Sequence, residues 1–278
     1  MSCLRTVSIA FMALFICGST AAQMPLGDLA VEESIVTAEL EGYTISGLVS
    51  RLPGKTAFKY GIVLFPGYPS VMRLREDNGA AAFELQGNTL VRGRRLLLDA
   101  DTLVLTADAP SDEWGSFSHD FRRGARYGKD VRALLTAVMK QFPVAAWTMV
   151  GHSEGAVSAY GAAVANLDLV KHVALLSSVF VPTRNGPGIS GLDWNMLGGR
   201  LLFVHHENDP CQYTPYRAAQ SYAAETGSPL LTVRGGSAER GAACRAWSAH
   251  GLPGMEEATL AAIKTWSRTG AVPASVGP

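Results

Sequence analysis

The chain reads as a single-domain α/β protein built on a mostly parallel sheet with helices on both faces, and three observations predict it. From Tyr60 onward, short apolar runs alternate with stretches of helical length. Those runs show little polar alternation, as suits strands covered on both faces. And 278 residues, 47% of them hydrophobic and 17% charged, suffice for one sizeable core but not comfortably for two.

Before the alternation begins, Ile35–Ala38 and Tyr43–Val49 flank Glu41-Gly42 and read as antiparallel edge strands. Tyr60–Phe65 is the first continuous apolar strand and ends at Pro66-Gly67. A helical stretch near Leu90–Leu98, a strand at Thr102–Thr106 and a helix around Arg126–Gln141 follow. Then come a strand at Trp147–Val150, a small-residue helix from Ser153 to Asn166 and a strand at His172–Leu176. Beyond an irregular stretch lie the strand Leu201–His205, a helix around Tyr216–Glu225, the strand Leu230–Val233 and a last helix from Glu256 to Trp266. The Ala-, Gly- and Pro-rich tail after Arg268 is expected to fray.

Lys and Arg together number 24, as do Asp and Glu. A net charge of zero offers no long-range attraction to nucleic acid or to an anionic membrane, so a neutral small molecule is the expected partner. Nothing in the sequence sets an oligomeric state.

Arg5, the apolar run Val7–Ile16 and the small residues Gly18–Ala22 read as a secretory signal peptide over 1–22, leaving 23–278 as the mature domain. The apolar run is too short for stable membrane insertion, so a periplasmic or secreted protein is expected. A lipoprotein would need acylation at Cys17, where Ile16 stands in place of the usual small residue. Removal of the leader takes Cys3 and Cys17 and leaves Cys211 and Cys244, which should pair in an oxidising compartment.

Gly151-His152-Ser153-Glu154-Gly155 matches G-x-S-x-G, the tight strand-to-helix turn that presents a serine hydroxyl above a parallel sheet. The pattern is weak alone, but here it directly follows an apolar strand and opens a helix. Ser153 is therefore the candidate nucleophile. His152 and Glu154 flank it and point elsewhere, so neither is read as a proton carrier.

A serine needs an imidazole to take its proton and a carboxylate to orient that imidazole. His250 lies in Ser248–Gly254, between the last strand and the last helix, where loops meet ligands at the sheet's carboxyl edge. Asp209, in the turn just past the strand Leu201–His205, is the candidate acid, with Glu207 and Asp193 as rivals. His205, His206 and Glu207 could be misread as a metal site. Strand alternation sends the two imidazoles to opposite faces, so no metal is expected. The Cys211–Cys244 pair would tie the acid loop to the base loop.

For an oxyanion hole, Glu154 offers the N–H after the nucleophile, and Pro66-Gly67-Tyr68-Pro69 offers Gly67 or Tyr68, of which Tyr68 is preferred. The connection before Leu201 has no room for a large helical lid, which leaves an open cleft with Trp114, Trp194 and Tyr213 as candidate walls. Arg122, Arg123 and Arg126 read as a solvated helix face.

With the elbow, Asp108–Asp112, His206–Cys211 and His250–Glu256 together, the chain resembles the α/β-hydrolase superfamily, and within it small exported bacterial enzymes similar to dienelactone-hydrolase-like esterases. The resemblance implies an eight-stranded, mostly parallel sheet, a triad at Ser153, Asp209 and His250, and no cofactor. Hydrolysis of carboxylic esters through an acyl-enzyme is the first expectation for the chain's activity. An amide or peptide hydrolase with the same triad, and a catalytically silent binding protein on the same scaffold, are the alternatives. One departure is Pro66-Gly67, where many lipases carry His-Gly.

Overall fold

The computed structural model describes residues 30–237 and 240–278. The proposed signal segment, with Cys3 and Cys17, lies outside the described residues. No described helix is long and apolar enough to cross a membrane.

One sheet organises the chain. Its strands are β1 (Glu32–Glu39), β2 (Thr44–Arg51), β3 (Phe58–Phe65), β6 (Thr102–Ala107), β7 (Val144–His152), β8 (Val170–Leu176), β9 (Leu201–His206), β10 (Leu230–Val233) and β11 (Ser275–Val276). They lie in the order β1-β2-β6-β3-β7-β8-β9-β10-β11. The β1–β2 and β2–β6 pairs are antiparallel and the rest are parallel. A separate hairpin pairs β4 (Arg75–Asp77) with β5 (Ala80–Ala82) across Asn78-Gly79, whose positive φ angles suit a tight hairpin turn.

The sheet has nine strands rather than the expected eight, because the tail does not fray. Thr232 N–H donates to Ala274 O and Arg234 N–H to Val276 O, so residues 275–276 extend the edge as β11. These backbone bonds use polar groups of β10 that would otherwise face water.

Helices cover both faces. On one side lie α2 (His119–Arg123), α3 (Ala125–Gln141), α4 (Gly155–Val164) and α5 (Tyr216–Thr226). On the other lie α1 (Thr89–Gly93) and α6 (Glu256–Thr269). Strand alternation divides the side chains between two cores: Val63 and Phe65 of β3 join the first, Ile62 and Leu64 the second. Being buried on both faces explains why these strands read as unbroken apolar runs.

The expected helix around Arg126–Gln141 is α3, whereas the helical stretch near Leu90–Leu98 is interrupted. After α1 the chain tightens into a 3-10 turn at Arg94–Leu97. Gly124, at φ −72° and ψ 154°, separates α2 from α3. Between β8 and β9 the connection carries only the 3-10 turn Trp194–Leu197 and no helical lid. Because β3, β7, β8, β9 and β10 run parallel, the loops after them gather at one rim.

Candidate active site

Ser153 stands directly after β7 with φ 56°, a left-handed conformation that a non-glycine residue adopts at a cost of about 1 kcal/mol or more. The turn is held by Ser153 N–H donating to Leu176 O at 2.9 Å, and by the flanking glycines. A Cβ on Gly151 would lie 2.2 Å from Gly155 O, and one on Gly155 would lie 2.0 Å from Phe65 O. Both motif glycines are thus required where strand, turn and helix crowd together.

Asp209 and His250 come together across loops far apart in sequence. His250 Nδ1 donates to Asp209 Oδ2 at 3.0 Å, and both side chains are almost fully buried. With Nδ1–H committed to the carboxylate, Nε2 is left with its lone pair. His250 and Ser153 line one cavity of about 250 Å³, together with Gly67, Tyr68 and Cys244.

Further groups surround Asp209. Thr214 Oγ1 donates to Asp209 Oδ2 at 2.8 Å and lies 3.1 Å from His250 Nδ1. Cys211 N–H donates to Oδ1 at 2.9 Å, and His205 Nε2 sits 3.2 Å from Oδ2. Burial disfavours the charged carboxylate, but the hydrogen bonds from His205 and His250 outweigh it and hold Asp209 well below the usual carboxylate range. The rivals stand elsewhere: Glu207 pairs with Arg234, and Asp193 accepts from Asn195 N–H.

His205 and His206 do diverge. The first donates from Nε2 to Thr214 O and the second to Gly235 O, each at 2.8 Å.

The loop after β3 packs directly on the elbow. A Cβ on Gly67 would lie 3.1 Å from Ser153 Cβ, so the loop could approach no closer with any other residue. Among the described residues, the backbone N–H groups of Tyr68 and Glu154 have no protein acceptor. Asp108 anchors the far end of this loop, its carboxylate accepting from the N–H groups of Met72, Leu74 and Ala109. Cys211 and Cys244 form a disulfide, and Cys244 reaches the cavity wall beside His250.

The proposed cleft walls divide. Trp114 lines a second cavity, of about 410 Å³, that shares Tyr68 and Pro69 with the first. Trp194 lines neither: it packs edge-on against Tyr160, Phe203 and Tyr222 near the opposite end of the sheet. Tyr213 also lines neither; its backbone carbonyl accepts from Phe180 and Val181.

Arg122 is not solvated. It is 0% exposed and donates to Phe117 O, Ser70 Oγ and Ser158 Oγ, with Glu154 Oε2 3.5 Å away. Burial lowers its pKa to about 10. Arg123 and Arg126 do sit at the surface, paired with Asp120 and Asp112.

Sequence reasoning missed His152, Ser177, His205 and Thr214 as part of this assembly. Only their positions next to strand ends or beside candidate residues could have marked them.

Solved structures share this arrangement of strands and helices. Est1E from Butyrivibrio proteoclasticus superposes with a TM-score of 0.58 at 14% identity, over 84% of this chain and 96% of its own. A cold-adapted esterase from an Arctic intertidal metagenomic library gives 0.56 at 14% identity, over 84% and 94%. Dienelactone hydrolase from Anabaena variabilis ATCC 29413 gives 0.51 at 17% identity, over 87% and 99%. The chain has the α/β-hydrolase fold. No family model and no curated protein sequence matches it. The loops after β7, β9 and β10 carry Ser153, Asp209 and His250 respectively, with Ser153 and His250 on one cavity and His250 hydrogen-bonded to Asp209.

Proposed function

We propose that the protein is a serine hydrolase that cleaves carboxylic esters through an acyl-enzyme. The observation that carries this reading is the His250–Asp209 hydrogen bond, set in the same cavity as a serine at positive φ on a strand-to-helix turn. Its neighbours in fold include esterases and dienelactone hydrolases, which supports the same chemistry.

In this mechanism Ser153 Oγ attacks the ester carbonyl while its proton passes to His250 Nε2. Asp209 supports the resulting imidazolium without itself taking the proton. The N–H groups of Glu154 and Tyr68 receive the oxyanion of the tetrahedral intermediate. The intermediate collapses, the C–O bond breaks, and the leaving alkoxide takes the proton from His250. Water then repeats the sequence on the acyl-enzyme, releasing a carboxylic acid and restoring Ser153. Every step is met by side chains and backbone of this chain, so the reading calls for no cofactor.

The Cys211–Cys244 disulfide supports an oxidising compartment, in keeping with export to the periplasm or beyond.

Labelling by a fluorophosphonate, abolished in Ser153→Ala, tests the nucleophile. Turnover of an acyl p-nitrophenyl ester with little turnover of the matching anilide is the expected result. Preference for the anilide would make the enzyme an amidase, and absence of both labelling and turnover would leave a binding protein on a hydrolase scaffold.

A further inference from the structure

The larger of the two cavities beside the elbow is lined by Tyr68, Val71, Trp114 and Phe117, and by two charged side chains, Glu154 and Arg184. It meets the Ser153 cavity at Tyr68 and Pro69. A substrate whose carbonyl lies at the oxyanion loop can therefore extend one of its parts into this space.

The electrostatics of the cavity are asymmetric. The Glu154 carboxylate is 7% exposed, lies 3.5 Å from the buried Arg122 guanidinium, and accepts from Asn185 Nδ2 at 2.7 Å. Its charge is thus offset from behind, within the protein. Arg184 has no acidic partner among the described residues; its guanidinium donates to Tyr68 OH and lies 5.3 Å from that ring's centroid. Arg184 is thus an exposed cation without an acidic partner among the described residues, in a cavity that adjoins the candidate nucleophile. A guanidinium retains donors beyond the one given to Tyr68, in a fork suited to a carboxylate. The remaining walls combine Val71, Trp114 and Phe117, which can pack on a short carbon chain, with the polar residues Ser116, Ser118 and Asn185.

We propose that this cavity is a subsite for an ionised carboxylate at the far end of the acyl group, so that the preferred substrates are half-esters of dicarboxylic acids. The proposal rests on the ester-hydrolase reading above and names its substrate class. Arg184 selects the acyl group, and Tyr68 both offers its N–H to the oxyanion and holds the guanidinium over the cavity.

The test compares kcat/KM for p-nitrophenyl hydrogen adipate with that for the neutral p-nitrophenyl hexanoate, in wild type, Arg184→Met, Arg184→Lys and Arg245→Met. Arg245 lines the Ser153 cavity on the other side and also lacks an acidic partner among the described residues, so it controls for general attraction by the cleft. The expected ratio in wild type is about ten-fold or more in favour of the charged ester, the size of one charge-assisted contact. That ratio should collapse toward one in Arg184→Met, survive in part in Arg184→Lys and persist in Arg245→Met. A wild-type ratio near one, or an equal loss in Arg245→Met, overturns the subsite. Calorimetric titration with adipate dianion separates the two readings. Adipate binding that vanishes in Arg184→Met, without turnover of either ester, upholds the subsite and defeats the esterase. Ester turnover with no charge preference and no adipate binding does the reverse.

Discussion

His152 Nε2 donates to the backbone carbonyl of His250 at 2.9 Å, so the residue before the candidate nucleophile holds the loop of the candidate base. Ser177 Oγ donates to the same carbonyl at 3.1 Å. The oxygen that receives both bonds belongs to the peptide that sets where the His250 ring stands. His152→Ala should therefore lower kcat by about ten-fold with little change in KM, since one buried hydrogen bond is lost and the Ser177 tether remains. Steady-state kinetics on a variant with wild-type circular dichroism checks this.

His152 also gives the fold an acid limb. Burial, reinforced by the neighbouring His250, depresses its pKa from 6.5 to about 3. The folded chain thus binds fewer protons here than the unfolded chain, and stability falls as pH drops from about 6.5 toward 3. Asp209 acts later: its depressed folded value contributes stability above the unfolded carboxylate pKa of about 3.9, lost as pH falls further. In His152→Gln the decline in melting temperature between pH 6.5 and 4 should flatten, while the loss below pH 4 persists. An unchanged slope above pH 4 would remove His152 as its source.

Asp209→Asn keeps the size of the side chain but removes its charge and one acceptor. His250 then loses the group that fixes its Nδ1 proton, and turnover should fall by roughly 10³- to 10⁴-fold, as it does for neutral replacements in other triads. Thr214→Val removes a hydroxyl that donates to Asp209 and lies beside His250, without touching the charge. A smaller loss, about ten-fold, is expected there. Comparable losses in the two variants, read from kcat/KM, would contradict the assignment of the charge to Asp209.

The strands and the elbow were legible because their signals are local. Val150 ends an apolar run and Gly151 and Gly155 stand where backbone would otherwise collide, all within a few residues. Chain order and loop position nominate Asp209 and His250, and the structure brings these two into hydrogen-bond contact. What escaped needed distant partners or a break in periodicity. Arg122 looks like part of one amphipathic helix with Arg126 until Gly124 divides the two segments and turns Arg122 inward. Trp194 sits in a glycine-rich connection that suggests a cleft, yet its neighbours Tyr160, Phe203 and Tyr222 come from three other elements. The tail after Arg268 has the composition of a frayed end, and only the open edge of β10 makes it a strand. Asn78-Gly79 is a local hairpin signal, and it does join β4 to β5.

The disulfide joins the residue two past Asp209 to a cavity-wall residue near His250, with a sequence separation of 33. On chain entropy alone, Cys211→Ser with Cys244→Ser should cost about 3 to 4 kcal/mol of stability. Because Cys211 N–H also donates to Asp209 Oδ1, turnover should fall well below the melting temperature too. Reduced thermal stability with undiminished turnover would make the bridge a structural clamp alone.

Arg122 and Glu154 give the sharpest contrast between removing a charge and removing its partner. Arg122→Met leaves the buried Glu154 carboxylate without the guanidinium that compensates it, and leaves Ser70 Oγ and Ser158 Oγ without their donor. Loss of one member of a buried pair commonly costs about 3 to 5 kcal/mol, and that is the expected destabilisation in chemical denaturation. Glu154→Gln instead keeps a hydrogen-bonding group toward Asn185 and leaves Arg122 with its three other acceptors, so its cost should be smaller. The double variant Arg122→Met with Glu154→Gln should recover part of the single Arg122→Met loss, since no unpaired carboxylate remains. Strict additivity of the two single changes would mean that Arg122 matters for packing against Phe117, whose ring lies 3.8 Å from its guanidinium carbon, rather than for the charge behind the elbow.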